Sequence, residues 1–404
     1  FNMRYLLRLC IIVILLGSLV NPFCIDRWPC RCSENADNTF VMQCEDNVRQ
    51  RHPAFNITYK PYIYLTISCS NSPLWWFRNQ ENTVQLPSVA SIIFKHCGFR
   101  RGNTTMNEII GHFVQGDVNE LDFQTFYDSA SNTPFRRAHF ANLTHIVKLV
   151  FSNNYLTEVS FDLFHDLINL KHLNISHNLL EKIPNGFLDL PHLIDVDLSH
   201  NKLELIDSGL FSGLRNLRNL RLEFNHLTEL PPLVFNNLTS LVNLNVAGNN
   251  LKQLQTSIFK NLELLADLDL SYNNFSVLGI SPDVFQNNKK LESILLTNNK
   301  EPLETLPDGI FHGLDHLHTV YLNDNKMERI PEDLLVGVTK ILEIVFSGNK
   351  IKEIPLHLFN DSHWLSILSF RDNKITDLPI GIFRSAVRLR TLDLSKNQLK
   401  EINT

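Results

Sequence analysis

The sequence predicts an α/β solenoid, a curved horseshoe whose short strands form a parallel β-sheet on the concave face. Three observations predict it. An asparagine returns every two dozen residues, at Asn154, Asn178, Asn201, Asn225, Asn249, Asn273, Asn299, Asn325, Asn349, Asn373 and Asn397. Each one closes the same frame, L-x-x-L-x-L-x-x-N-x-L, of which Leu170–Leu173–Ile175–Asn178–Leu180 is a clear copy. The return half is as regular, L-x-x-[LI]-P-x-x-x-F-x-x-L. It builds a phenylalanine column through Phe164, Phe187, Phe211, Phe235, Phe259, Phe285, Phe311, Phe359 and Phe383, with Leu335 in the one gap. Eleven copies in register define a leucine-rich-repeat array, and such arrays present surfaces for binding.

The frame has a physical reading. Inner positions such as Leu173 and Ile175, or Val196 and Leu198, point into the core, while the residues between them point out. Where the chain leaves each strand, its backbone N–H and C=O groups lose their ladder partners. An asparagine amide, with two donors and an acceptor, satisfies them. The phenylalanines stack as a second core layer behind the sheet. Two units run longer by two residues, at Gly279–Ile280–Ser281–Pro282 and at Lys300–Glu301–Pro302, and these insertions are expected to bulge from one rim.

Taken along the chain, residues 1–23 read as a signal peptide. Arg4 and Arg8 precede an apolar stretch, and Met3 is the initiator behind Phe1 and Asn2. Residues 24–88 form a cysteine-rich N-terminal cap, stapled by disulfides among Cys24, Cys30, Cys32, Cys44, Cys69 and Cys97. Six cysteines allow fifteen pairings, and sequence does not choose among them. Cys30-x-Cys32 lacks the second close pair or histidine set that a metal site needs, and a first repeat needs its open edge covered. Phe40–Cys44 and Tyr62–Cys69 read as the cap strands. Residues 89–145 are irregular repeats. Val89-x-x-Ile92-x-Phe94-x-x-Cys97 puts Cys97 in the asparagine slot, and Val118-x-x-Leu121-x-Phe123-x-x-Phe126 is degenerate. Residues 146–404 hold the eleven typical repeats. The chain stops seven residues past Asn397, before that repeat's phenylalanine, and reads as truncated.

Composition narrows function. A net charge of −5, a pI near 6.4 and no long Lys/Arg run lack the basic footprint of a nucleic-acid binder. N-x-[ST] acceptors at Asn56, Asn103, Asn142, Asn174, Asn237, Asn274 and Asn360 behind a leader fit a secreted glycoprotein. Asn142, Asn237 and Asn360 fall at the far end of the return segment, where a glycan projects freely; a sugar on Asn174 would stand on the concave wall. The 16 histidines sit mostly in turns, and His316-x-His318 reads as surface. Paired Asp195/Asp197 and Asp267/Asp269 lack the further ligands that calcium requires. With no G-x-S-x-G, phosphate loop or H-E-x-x-H, no enzyme, cofactor or metal is expected.

The N-terminal region is more specific than the repeat. Cys30-Arg31-Cys32, Phe40-Val41-Met42-Gln43-Cys44, Tyr64-Leu65-Thr66-Ile67-Ser68-Cys69 and Ile92-Ile93-Phe94-Lys95-His96-Cys97 resemble the cap of insect Toll receptors. Leu296-Thr297-Asn298-Asn299-Lys300-Glu301-Pro302-Leu303-Glu304-Thr305-Leu306-Pro307 resembles that family's N-N-[KR]-x-P-L-x-T-L-P irregularity. The resemblance spans nearly everything after the leader. It implies a receptor ectodomain at the cell surface, binding a Spätzle-like cystine-knot cytokine through cap and concave face. It also implies receptor dimerisation, and a membrane span and an intracellular TIR domain that this chain lacks. The competing reading is a secreted leucine-rich-repeat immune-recognition or matrix-binding protein without an anchor.

The ligand is expected on the outward strand positions six, four and two residues before each ladder asparagine. The candidates are Lys148, Asp195, Asp197, Arg221, Glu223, Asp267, Asp269 and Tyr321. Acidic side chains outnumber basic ones along these positions, which favours a basic partner through steering.

Overall fold

The computed structural model describes residues 30–44, 55–69, 88–98, 105–114, 116–125 and 135–400. The leader, Cys24, Asn103 and Phe126 fall outside them. Two compact units divide the chain, residues 1–180 and 181–404.

The first unit opens on an antiparallel meander of β1 (Cys30–Glu34), β2 (Phe40–Cys44), β3 (Phe55–Lys60) and β4 (Tyr64–Cys69). β4 shows why it is a strand: Leu65, Ile67 and Cys69 are buried and Tyr64, Thr66 and Ser68 half-buried, the period-two pattern of a one-sided sheet. It starts two residues later than Tyr62, which takes a left-handed turn at φ 61°. β1 (CRCSE) has no aliphatic or aromatic residue to mark it, whereas β3 (FNITYK) does alternate, burying Ile57 and Tyr59, a period-two signal that sequence reading passed over. The direction then changes. β4 pairs in parallel with β5 (Ser91–Lys95), and β6 (Glu120–Gln124), β7 (Lys148–Val150) and β8 (His172–Asn174) follow in parallel.

Cys97 is fully buried in the asparagine slot and bonded to Cys69, with Cα atoms 4.9 Å apart. A covalent bond thus ties neighbouring turns where later repeats use an amide. The strands carrying Cys30, Cys32 and Cys44 are described, but not those side chains. One α-helix, α1 (Met106–Phe113), follows β5. Thr105 Oγ1 accepts from Glu108 N at 3.1 Å and Glu108 Oε2 accepts from Thr105 N at 3.3 Å, a reciprocal cap. Met106, Ile109, Ile110 and Phe113 bury one helical face.

The second unit is nine parallel strands: β9 (Asp195–Asp197), β10 (Asn219–Arg221), β11 (Asn243–Asn245), β12 (Asp267–Asp269), β13 (Ser293–Leu295), β14 (Thr319–Tyr321), β15 (Glu343–Val345), β16 (Ile367–Ser369) and β17 (Thr391–Asp393). The return segments are turns, so among the described residues α1 is the one α-helix, beside 3-10 turns at Arg137–Phe140 and Val277–Gly279. Prolines at their starts and left-handed glycines such as Gly309 (φ 67°) and Gly381 (φ 76°) leave too few residues to nucleate a helix.

The ladder is a chain of bonds between repeats. Asn225 Nδ2 donates to Leu198 O of the preceding repeat at 3.1 Å and to Leu222 O of its own at 3.0 Å, while its Oδ1 accepts from Leu203 N at 3.0 Å. Asn249 and Asn373 repeat the pattern. The longer units shift it: Asn299 Nδ2 donates to Asn325 Oδ1 instead. Behind the ladder, Phe211, Phe235, Phe259, Phe285 and Phe311 stack at 6.1–6.4 Å between centroids. Leu335 fills its gap buried. The first insertion does more than bulge. Ile280 bridges in parallel to Leu254, a 3-10 turn at Val277–Gly279 leaves Leu278 fully exposed, and a Cβ on Gly279 would fall 2.1 Å from Lys252 O.

Candidate ligand-binding surface

Parallel register sorts the outward residues of the second unit into rows. Asp195, Asn219, Asn243, Asp267, Ser293, Thr319 and Glu343 stand side by side. Asp197, Arg221, Asn245, Asp269, Leu295 and Tyr321 form the next row. At about 4.8 Å per strand, each row is a strip of mostly polar groups over a buried wall, with Leu295 the apolar member. Of the candidates, Asp195, Asp197, Arg221, Glu223, Asp267, Asp269 and Tyr321 share this face. Lys148 lies on β7 of the other unit, exposed and paired with Glu120 Oε1 at 2.7 Å.

Their roles differ. Asp197 Oδ1 accepts from Ser199 N at 3.0 Å and Asp269 Oδ1 from Ser271 N at 3.0 Å. Asn174, Asn245 and Asp393 do the same for Ser176, Ala247 and Ser395. The position four before the ladder asparagine therefore caps the strand exit. Asp197 and Asp269 are bound into the turn first and face a ligand second. Asp195 accepts from Asn219, which accepts from Asn243, a side-chain ladder along the first row. Arg221 Nη1 lies 3.7 Å from Asp197 Oδ2, exposed.

Glu223 is the electrostatic centre. Burial, then the neighbouring Asp197 and Asp269 carboxylates, push its carboxyl above the usual range, and its Oε2 is buried without a partner. Asp267 is pushed up by burial and by Glu292, whose own neighbour is His318 at 3.9 Å. Tyr321 is raised by burial and by Glu343. This surface carries excess negative charge at the cost of desolvation and repulsion, and a cation would relieve both. Sequence reading missed Glu292, which enters this surface from a position its frame did not sample, and Glu120, which pairs with Lys148 in the other unit. Among the described residues no group of three or more His, Cys, Asp or Glu gathers as a metal site. Asp195/Asp197 and Asp267/Asp269 stand three strands apart.

The sequons also sort. Asn56 and Asn142 are exposed. Asn360 is exposed, with Nδ2 3.3 Å from His357 Nδ1. Asn237 is not freely projecting: its Nδ2 donates to Ser212 O at 2.9 Å. Asn174 stands half-buried on β8, and Asn274 is half-buried beside Asn273. His139 departs from the exposed or half-exposed placement of the other histidines whose side chains are described. It is buried, accepts from Arg136 N at Nδ1 (3.1 Å), and is pushed down to about 4 by burial and by Arg136.

A "Leucine rich repeat" profile matches residues 144–203, 168–227 and 239–300, and a "BspA type Leucine rich repeat region (6 copies)" profile matches 278–404. The Toll chain of the Drosophila Toll–Spätzle complex is 25% identical over 91% of this chain and 47% of its own, with a TM-score of 0.79. The glycosylated form of that complex matches at 24% identity, TM-score 0.75, over 96% of this chain and 54% of its own. The mouse RP105/MD-1 complex matches at 21%, TM-score 0.65, over 80% and 54%. The chain thus spans about half the length of the structures it matches. No curated protein sequence matches it. The repeat and these matches belong to non-enzymatic binding proteins. Among the described residues no helix is long and apolar enough to cross a membrane.

Proposed function

The chain is a leucine-rich-repeat solenoid with the fold of Toll-like ligand-binding ectodomains, and from that premise we propose that it is the ligand-binding part of a Toll-type receptor for a Spätzle-like cystine-knot cytokine. The cap and the outward rows take the ligand outside the cell, and the full-length receptor dimerises and is anchored by a segment beyond this sequence. One observation carries the reading: the acidic rows of β9–β12, where burial first and neighbouring carboxylates next hold Glu223 and Asp267 above the usual carboxylate range. A basic protein surface supplies a counter-charge and steers in from a distance.

The test is titration of a Spätzle-type ligand over the immobilised, glycosylated protein. Asp195→Lys with Asp267→Lys is expected to weaken binding about tenfold or more, the loss shrinking as salt rises above about 0.15 M. Neither residue caps a turn. Glu332→Lys with Glu353→Lys, exposed on return segments, is the control and leaves affinity unchanged. Equal losses in both pairs point to attraction by the whole surface and sink the assigned face. No binding by the parent removes the cytokine-receptor reading.

A further inference from the structure

The residue just before each ladder asparagine takes left-handed backbone in the second unit. It is His200 (φ 52°), Phe224 (54°), Gly248 (65°), Tyr272 (56°), Asn298 (54°), Asp324 (60°), Gly348 (67°), Asp372 (57°) and Lys396 (56°). Glycine, asparagine and aspartate adopt this conformation readily, whereas bulky aromatics resist it. Phe224 and Tyr272 are held there nonetheless, 48% and 49% exposed. Phe224 lies over Gly248, where a Cβ would meet its Cδ1 at 2.5 Å, and His200 stacks on Phe224 at 4.5 Å. Three aromatic side chains, His200, Phe224 and Tyr272, thus occur over four successive turns, with Phe224 leaning across the glycine turn.

This aromatic series ends at a sequon, Asn274-Phe275-Ser276. Tyr272 precedes Asn274 by two residues, and Asn273 between them is fully buried in the ladder. Tyr272, half-exposed, and Asn274, half-buried, thus flank it in the chain. Asn274 Oδ1 is buried without a partner. Its Nδ2 makes no hydrogen bond among the described residues and is the solvent-side atom, whereas Asn237 has its Nδ2 engaged. The aromatic residues two before Asn142 and Asn237, Phe140 and Phe235, are buried in the core. Asn274 alone among the described sequons follows a half-exposed Phe, Tyr or Trp at that spacing. Lys300 Nζ reaches Asn250 Oδ1 at 3.5 Å nearby, a long exposed contact that a sugar displaces cheaply.

We propose that Tyr272 seats the root N-acetylglucosamine of a glycan on Asn274, making this aromatic series the bed of the chain's own sugar. Attachment forms a bond from sugar C1 to Asn274 Nδ2. It breaks the C1–O bond of a polyprenyl-pyrophosphate-linked oligosaccharide, and the Nδ2 proton leaves with the lipid pyrophosphate. A β-linked pyranose then offers an axial C–H face to the Tyr272 ring, with the π-face attracting the partly positive hydrogens. The following sugars run over Gly248 toward Phe224, because a saccharide and one solenoid turn both advance by about 5 Å. The ring's exposure follows from this use, while its left-handed backbone is the one every repeat of the second unit takes at that position. The proposal rests on the secretory part of the proposed function and is independent of which ligand binds.

The parent and Tyr272→Asn are expressed with the leader in human cells. Asparagine is at home in left-handed backbone, so this variant keeps the fold, which circular dichroism checks. Isotope-labelled enzymatic deglycosylation with mass spectrometry reads occupancy, and the same enzyme on the native protein reads release rates. Asn274 is expected to be occupied and released roughly five- to tenfold more slowly than exposed Asn142, with Tyr272→Asn bringing the two rates together. The proposal is overturned if Asn274 is empty while Asn142 is filled, if both release alike in the parent, or if the variant leaves Asn274 slow. Empty sequons throughout would sink the secretory reading and this proposal together.

Discussion

Asn225 makes two intrarepeat and two inter-repeat hydrogen bonds, counting the weaker one to Glu223 O at 3.4 Å. Removing it strands buried carbonyls and an N–H on both sides of the turn. Asn225→Ala is expected to cost about 1–3 kcal/mol in chemical denaturation. Asn219→Ala breaks bonds to Asp195 and Asn243 that water replaces, and should cost under about 1 kcal/mol. Equal costs would contradict the division into ladder and outward positions. Glu223 supplies a second measurement. Its carboxyl is raised in the folded state by burial first and by Asp197 and Asp269 next, so folding favours its protonated form. That favour is complete below the ordinary glutamate range and is lost as pH rises through the raised value. Glu223→Gln should therefore raise the unfolding temperature at neutral pH, with the gain fading below the ordinary glutamate range. A gain independent of pH would exclude the carboxylate as its cause.

At the scale of elements, α1 and the 3-10 turn at Arg137–Phe140 interrupt the repeat rhythm, and His139 is the buried titratable group of that turn. Its value, lowered to about 4 by burial and by Arg136, lies below the ordinary 6.5. The stability it represents is whole above 6.5 and drains away as pH falls toward 4, on the order of 3 kcal/mol at the end. His139→Asn, whose Oδ1 can still accept from Arg136 N, should flatten this part of the stability profile of the first unit. Glycines separate tolerance from need. A Cβ on Gly111, exposed within α1, meets nothing within 4 Å, so Gly111→Ala should stabilise by about 0.5–1 kcal/mol. Gly279→Ala drives a methyl into the Lys252 carbonyl and should cost roughly 1–3 kcal/mol. In the stacked column, Phe259→Ala opens a cavity between Phe235 and Phe285, worth about 3–5 kcal/mol in a melt.

For the whole molecule, the repeat was legible because one residue type at one frame position has one physical duty, and eleven copies expose the period. The inward wall, the amide ladder and the phenylalanine column follow from residue identity and spacing. So does the Cys97 slot, filled by a disulfide to Cys69. α1 was announced by Thr105 and Glu108 at capping-box spacing, a signal that the search for repeats passed over. β1 was not legible, since its pairing with β2 is imposed by its neighbour, whereas β3 carried a plain alternation at Phe55, Ile57 and Tyr59 that went unread. Outward-facing chemistry was half legible. Spacing placed Asp197 and Asp269 on the sheet face, but only three-dimensional contact made them turn caps, and only burial beside other carboxylates singled out Glu223. The same holds for Tyr272, an unremarked residue in sequence until its backbone angle and exposure set it beside Asn274. Sequence by itself determined the path of the chain, because that path repeats local rules. Tertiary structure alone decided which side chains meet across turns, because those meetings join residues some 22–29 positions apart whose energies depend on shared burial and charge.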